Sequence, residues 1–148
     1  MKLLIISTSQ RPDSQSAKVG RYIAESSFSS PHNMGYDTIH HLELCLFNLP
    51  FWDGEENNKG EHWPEIEHRV DEADALVLIT PEWGGMASPL LKNFLLMCTR
   101  EETAHKPALL VSISDGISGT YPIVEVKMNA LKNNKLVPIP DHLIIRHV

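Results

Sequence analysis

The chain has 148 residues, 42% apolar and 22% charged, which suits one ordinary globular domain and excludes a disordered tail, a collagen-like rod and a coiled coil. Thirteen Lys and Arg against nineteen Asp and Glu give a net charge of −6, which argues against nucleic acid as a partner. No window approaches the roughly 18 apolar residues a membrane span needs.

Residues 3–6 form a short, continuous apolar run that Ser7-Thr8-Ser9-Gln10-Arg11 ends at once. It is too short for the h-region of a signal peptide and reads as a first buried strand. Past Ser16, Val19, Tyr22 and Ile23 recur at helix spacing. Residues 36–44 form a weaker strand with polar residues between Ile39, Leu42 and Leu44, which suits a sheet edge. From Trp63, before Pro64, Ile66 and Val70 face one way and Glu65, Glu67 and Asp71 the other, as in an amphipathic helix. Residues 75–79 are a second buried strand, and residues 80–89 read as a loop. Pro89 opens a third helix whose Leu90, Leu91, Phe94, Leu95 and Cys98 make a broad apolar face. Residues 108–113 are a further buried strand, residues 121–133 a fourth helix stopped by Asn133-Asn134, and residues 136–145 contain a last strand.

Strands buried on both faces, alternating with helices, predict an α/β domain over residues 1–148. The expected architecture is a doubly wound five-stranded parallel sheet in the order 2-1-3-4-5. Almost nothing follows the last strand, so the closing helix of such a fold is absent. That predicts a shortened chain or a face covered by another subunit. Cys45 and Cys98 each sit in apolar surroundings and read as small buried hydrophobes, so a reducing, cytoplasmic setting is expected.

In such a sheet, ligands sit outside the carboxyl ends of the strands where strand order reverses. Three loops there stand out. The first contains Ser9, Arg11, Ser14, Gln15 and Ser16 and leads into the first helix. Hydroxyls, one Arg and free N–H groups suit a single terminal phosphate, although Ser14 or Ser16 alone also reads as a plain helix cap. The second is Pro81-Glu82-Trp83-Gly84-Gly85-Met86, where two glycines admit a flat ligand to the backbone beside a wide aromatic ring. The third contains Ser114, Asp115, Gly116, Ser118 and Gly119, whose amides suit a ligand's polar edge. No nucleophile is expected, because no GxSxG elbow occurs. No metal site is expected either: His62 and His68 are wrongly spaced for one helix face, and no HExxH occurs.

Together these loops resemble the NADPH-dependent FMN reductase family, a branch of the flavodoxin-like fold. The family's Gly-Ser-x-Arg-x-x-Ser appears as Thr8-Ser9-Gln10-Arg11-Pro12-Asp13-Ser14. Its Pro-Glu-Tyr-Asn-Gly and following Pro and Leu-Lys-Asn appear as Pro81-Glu82-Trp83-Gly84-Gly85 and Pro89-Leu90-Leu91-Lys92-Asn93. Its Ser-x-Gly-x-x-Gly-Gly appears as Ser114-Asp115-Gly116-Ile117-Ser118-Gly119-Thr120. Leu49-Pro50-Phe51-Trp52-Asp53 is similar to the family's segment after strand 2.

The resemblance implies a flavodoxin-like fold with FMN as cofactor and NADPH or NADH as co-substrate. Ser9, Arg11, Ser14, Gln15 and Ser16 would hold the phosphate, and Pro81 to Met86 would line the isoalloxazine. Ser114, Asp115, Gly116, Ser118 and Gly119 would border its other side. Hydride would pass to a small acceptor such as a quinone, a flavin or an azo compound, in a homodimer or homotetramer. Thr8 replaces a family Gly, so a turn that needs positive φ there would be strained. The alternatives are an FMN-binding electron carrier and a family member that serves as a scaffold without cofactor.

Overall fold

A computed structural model describes residues 1–29 and 35–148. Among them lie β1 (Lys2–Ser7), β2 (Thr38–Glu43), β3 (Ala75–Trp83), β4 (Met86–Ala87), β5 (Pro107–Ser114) and β6 (Val137–Arg146). The helices are α1 (Gln15–Ser29), α2 (Trp63–Glu72), α3 (Pro89–Met97), α4 (Arg100–Thr103) and α5 (Thr120–Glu125). The five long strands are parallel in the order β2-β1-β3-β5-β6. Numbered among themselves, that is the expected 2-1-3-4-5 order of a flavodoxin-like sheet.

The central strands are the nearly unbroken apolar runs, because both of their faces are covered. Leu4, Ile6, Leu76, Leu78 and Leu110 pack with Ile66, Val70, Leu91, Phe94 and Ile123 from α2, α3 and α5. Leu3, Ile5, Val77, Ile79, Val111 and Ile113 form the second face, packed by Val19 and Ile23 of α1. That face is not evenly covered. Leu143 of β6 stands beside Val111 in register and is 46% exposed. Pro138 and Pro140 sit in the same strand, where an edge tolerates their missing donors, and the β5–β6 register slips between Ala108 and Leu110.

Two expectations are corrected. Residues 80–89 are not a loop. β3 runs on through Trp83, turns at Gly84 (φ +59°) and Gly85 (φ +75°), and returns as β4, with Trp83 opposite Met86. A two-residue hairpin with positive φ at both central positions is the turn that follows strand twist, and glycine adopts it without Cβ strain. The fourth helix is also shorter than expected. α5 ends at Glu125 and gives way to a π-helical turn over Val126–Ala130, in which the Leu131 N–H reaches the Val126 carbonyl at 3.3 Å.

Candidate functional site

The carboxyl ends of β1, β3 and β5 lie at one edge of the sheet, because the strands are parallel and adjacent. A cavity of about 550 Å³ opens there, a typical size for a small-molecule or cofactor site. Ser9, Arg11, Ser14, Gln15 and Ser16 line it from the loop after β1. Pro81, Glu82 and Trp83 line it from β3, and Asp115 from the loop after β5.

Hydroxyl groups concentrate at the start of α1. Ser14 is the helix cap: its Oγ accepts from Ala17 N at 3.2 Å and its carbonyl from Lys18 N at 3.0 Å. That leaves the Ser14 hydroxyl proton to donate elsewhere. Ser9 Oγ accepts from Arg11 N at 3.2 Å. Ser16 is 1% exposed, and its Oγ has no hydrogen-bond partner among the described residues. Such a group costs free energy unless something satisfies it. The Arg11 guanidinium lies over the Trp83 ring, 5.5 Å from its centroid, and so joins the loop after β1 to the end of β3. Arg21 braces the loop from behind, bonding Glu43 and lying 3.5 Å from Asp13, the one loop residue with positive φ (+49°). Burial pushes the pKa of His41 down, with Glu43 opposing, and its Nε2 lies 3.0 Å from Ser7 Oγ at the end of β1.

Thr8 is not strained, contrary to the conditional expectation. The left-handed position of this loop falls at Asp13 instead. Thr8 is fully buried and its Oγ1 donates to the Ile79 carbonyl at 2.9 Å. Ser88 Oγ lies 2.9 Å from Thr8 Oγ1 and 2.7 Å from the Thr8 carbonyl, and accepts from Leu91 N at 3.1 Å as the cap of α3. Ser88 N in turn donates to Thr80 Oγ1 at 2.9 Å. The β-branched hydroxyl thus ties β1, β3 and α3 together beneath the cavity.

The other expected site residues take different places. Gly84 and Gly85 form the hairpin turn, and Met86 is exposed beyond it. Ser114 and Ser118 are bonded to Glu82, and Gly116 has open space around it. Gly119 is the cap residue of α5. Sequence reading missed Pro12, Asp13, Ile113 and Val148 in the cavity wall and Ser88 beneath it. Ser88 directly before Pro89 is a helix-start signal that marks it. Val148 carries no such signal. Burial raises the pKa of the unbridged Cys45 and Cys98, so neither is primed as a thiolate.

An open parallel sheet with its strand order reversing between β1 and β3, and a cavity at that switch point, defines a flavodoxin-like protein. The sequence pattern of the NADPH-dependent FMN reductase family matches residues 1–148, and the chain belongs to that family. FMN and NADPH come with that membership as the family's cofactors. The NADPH azoreductase of Bacillus sp. (strain OY1-2) is 30% identical over 120 residues, covering 80% of this chain and 62% of that one. The chain therefore matches less than two thirds of that relative's length. FerB, an NAD(P)H:(acceptor) oxidoreductase from Paracoccus denitrificans, is similar with a TM-score of 0.76 and 21% identity, covering 95% of this chain and 77% of its own. A flavodoxin from the domain Archaea is similar with a TM-score of 0.58 and 14% identity, covering 99% and 84%. At these identities both likenesses are of fold. No helix among the described residues is long and apolar enough to cross a membrane.

Proposed function

We propose that the chain binds FMN at this cavity and takes reducing equivalents from NADPH or NADH to a small acceptor: a quinone, a free flavin or an azo compound. The observation that carries the reading is the orphaned Ser16 hydroxyl at the start of α1, in a cavity that Arg11 and Trp83 share. A terminal phosphate would satisfy that hydroxyl. The free N–H groups and partial positive charge of the 15-residue helix α1 would hold its negative charge. Arg11, which lies over Trp83, would add a charge-assisted bond. Pro81, Glu82, Trp83, Ile113 and Asp115 line the cavity beyond that helix start.

When bound, FMN supplies two-electron hydride chemistry, and the protein supplies placement. No side chain is needed as nucleophile or general base. Donor and acceptor would use the same cavity in turn, so ping-pong kinetics are expected. The name of the Bacillus relative favours azo compounds among the acceptors. The same reading includes a homodimer or homotetramer in the cytoplasm. Exposed Met86 in the hairpin and exposed Tyr121 beside Gly85 support a self-associating face, and two unbridged cysteines support a reducing setting.

The test is optical. The purified protein, mixed with FMN and passed over a sizing column, is expected to stay yellow and to bleach on anaerobic addition of NADPH or NADH. Retained colour that neither nucleotide bleaches would favour an electron carrier. A colourless protein would favour a scaffold.

A further inference from the structure

We propose that Glu82 is a positioning residue whose carboxylate clasps the loop after β5 against the cavity wall. Its consequence for FMN rests on the reading above; the clasp itself does not. Glu82 leaves the end of β3, and both of its oxygens are engaged from across the cavity edge. Ser114 Oγ donates to Oε2 at 2.9 Å, and Ser118 Oγ donates to Oε1 at 2.9 Å. Each serine hydroxyl has one proton, so each spends it on this carboxylate.

The clasped loop has little else to hold it. Asp115, Gly116 and Ile117 are exposed, Ile117 to 83%, and nothing lies within reach of a side chain at Gly116. Its other recorded tie is Arg146, whose Nε donates to the Ser118 carbonyl at 2.7 Å. Ser114 is the last residue of β5 and is buried there, so the carboxylate ties that strand end to Ser118 in the loop. An exposed loop with few packed apolar contacts opens at low free-energy cost, so the bond to Ser118 weighs heavily. Asp115, which lines the cavity, sits between the two serines and is placed by them. Neither donor is a cation, so the clasp itself leaves the charge of Glu82 unneutralised in the wall.

Hydrogen–deuterium exchange on the protein without FMN tests the clasp, with FMN titration followed by flavin fluorescence beside it. In Glu82→Ala, the amides of residues 115–119 are expected to exchange about tenfold faster. FMN affinity is expected to fall by a similar factor. Glu82→Gln keeps one carbonyl acceptor and is expected to recover most of both, whereas Glu82→Met, which keeps the bulk without an oxygen acceptor, is expected to stay with Glu82→Ala. The Ser114→Ala, Ser118→Ala double variant removes the same two bonds from the other side and is expected to match Glu82→Ala. It serves as the test if Glu82→Ala fails to fold. Unchanged exchange in the double variant, with Gln no better than Ala at position 82, overturns the proposal. Faster exchange in a protein that never binds FMN would sink the FMN reading while upholding the clasp.

Discussion

Arg11→Ala is expected to bind FMN about 30-fold more weakly than the wild type, a loss of about 2 kcal/mol, the scale of a hydrogen bond to a charged group. The guanidinium reaches the cavity from the loop after β1 and rests on the Trp83 face. Truncation removes a charge-assisted partner for the phosphate and uncovers the ring that forms the opposite wall. Arg11→Lys should fall between the two, because Lys keeps the charge but loses the planar fork and much of the stacking. Arg11 is exposed, so circular dichroism and melting temperature should hardly change. Flavin fluorescence quenching on titration reads the affinity. Values within twofold of each other would remove Arg11 from the site.

The second large effect concerns stability. Gly119 caps α5 with φ +98°, and a Cβ built there would lie 2.4 Å from Ile144 Cγ2 and 3.4 Å from Ser114 Cβ. Gly54 has the same φ of +98°, but nothing lies within 4 Å of its added Cβ. The pair separates backbone strain from steric overlap. Gly54→Ala should cost about 1 kcal/mol, the lower end of the strain range. Gly119→Ala adds the crowding of a filled site and should cost about 2–4 kcal/mol in all. That corresponds to a fall in melting temperature of about 4–16 °C. Urea denaturation of both variants beside the wild type measures the difference. Equal losses would mean that Ile144 yields freely and that β6 does not hold the α5 cap in place.

The sheet was legible because burial on both faces leaves a plain mark. Residues 3–6, 75–79 and 108–113 are nearly free of polar side chains, and β2, at the edge, mixes in His40, His41 and Glu43. The convergence of the loops follows from strand order, since parallel strands end at one edge. β4 was not legible. Two residues carry no periodicity, and Gly84-Gly85 reads equally as a loose loop until the pairing of Trp83 with Met86 is seen. The role of Thr8 was hidden for a different reason. Its conformation depends on which loop residue takes positive φ, and that residue is Asp13. The pairing of Glu82 with Ser114 and Ser118 spans 32 and 36 residues. Such contacts are set by how the end of β3 faces the end of β5 and the loop after it, which local propensity does not encode.

Calorimetric titration of the wild type with FMN and, separately, with riboflavin puts the cradle at the start of α1 to its sharpest test. The two ligands share the ring system and differ in the phosphate. One FMN per chain is expected, with riboflavin bound at least about 30-fold more weakly, because only FMN satisfies the donors around Ser16 and Arg11. Equal affinity for the two, or no heat with FMN at all, would contradict a phosphate-anchored flavin site.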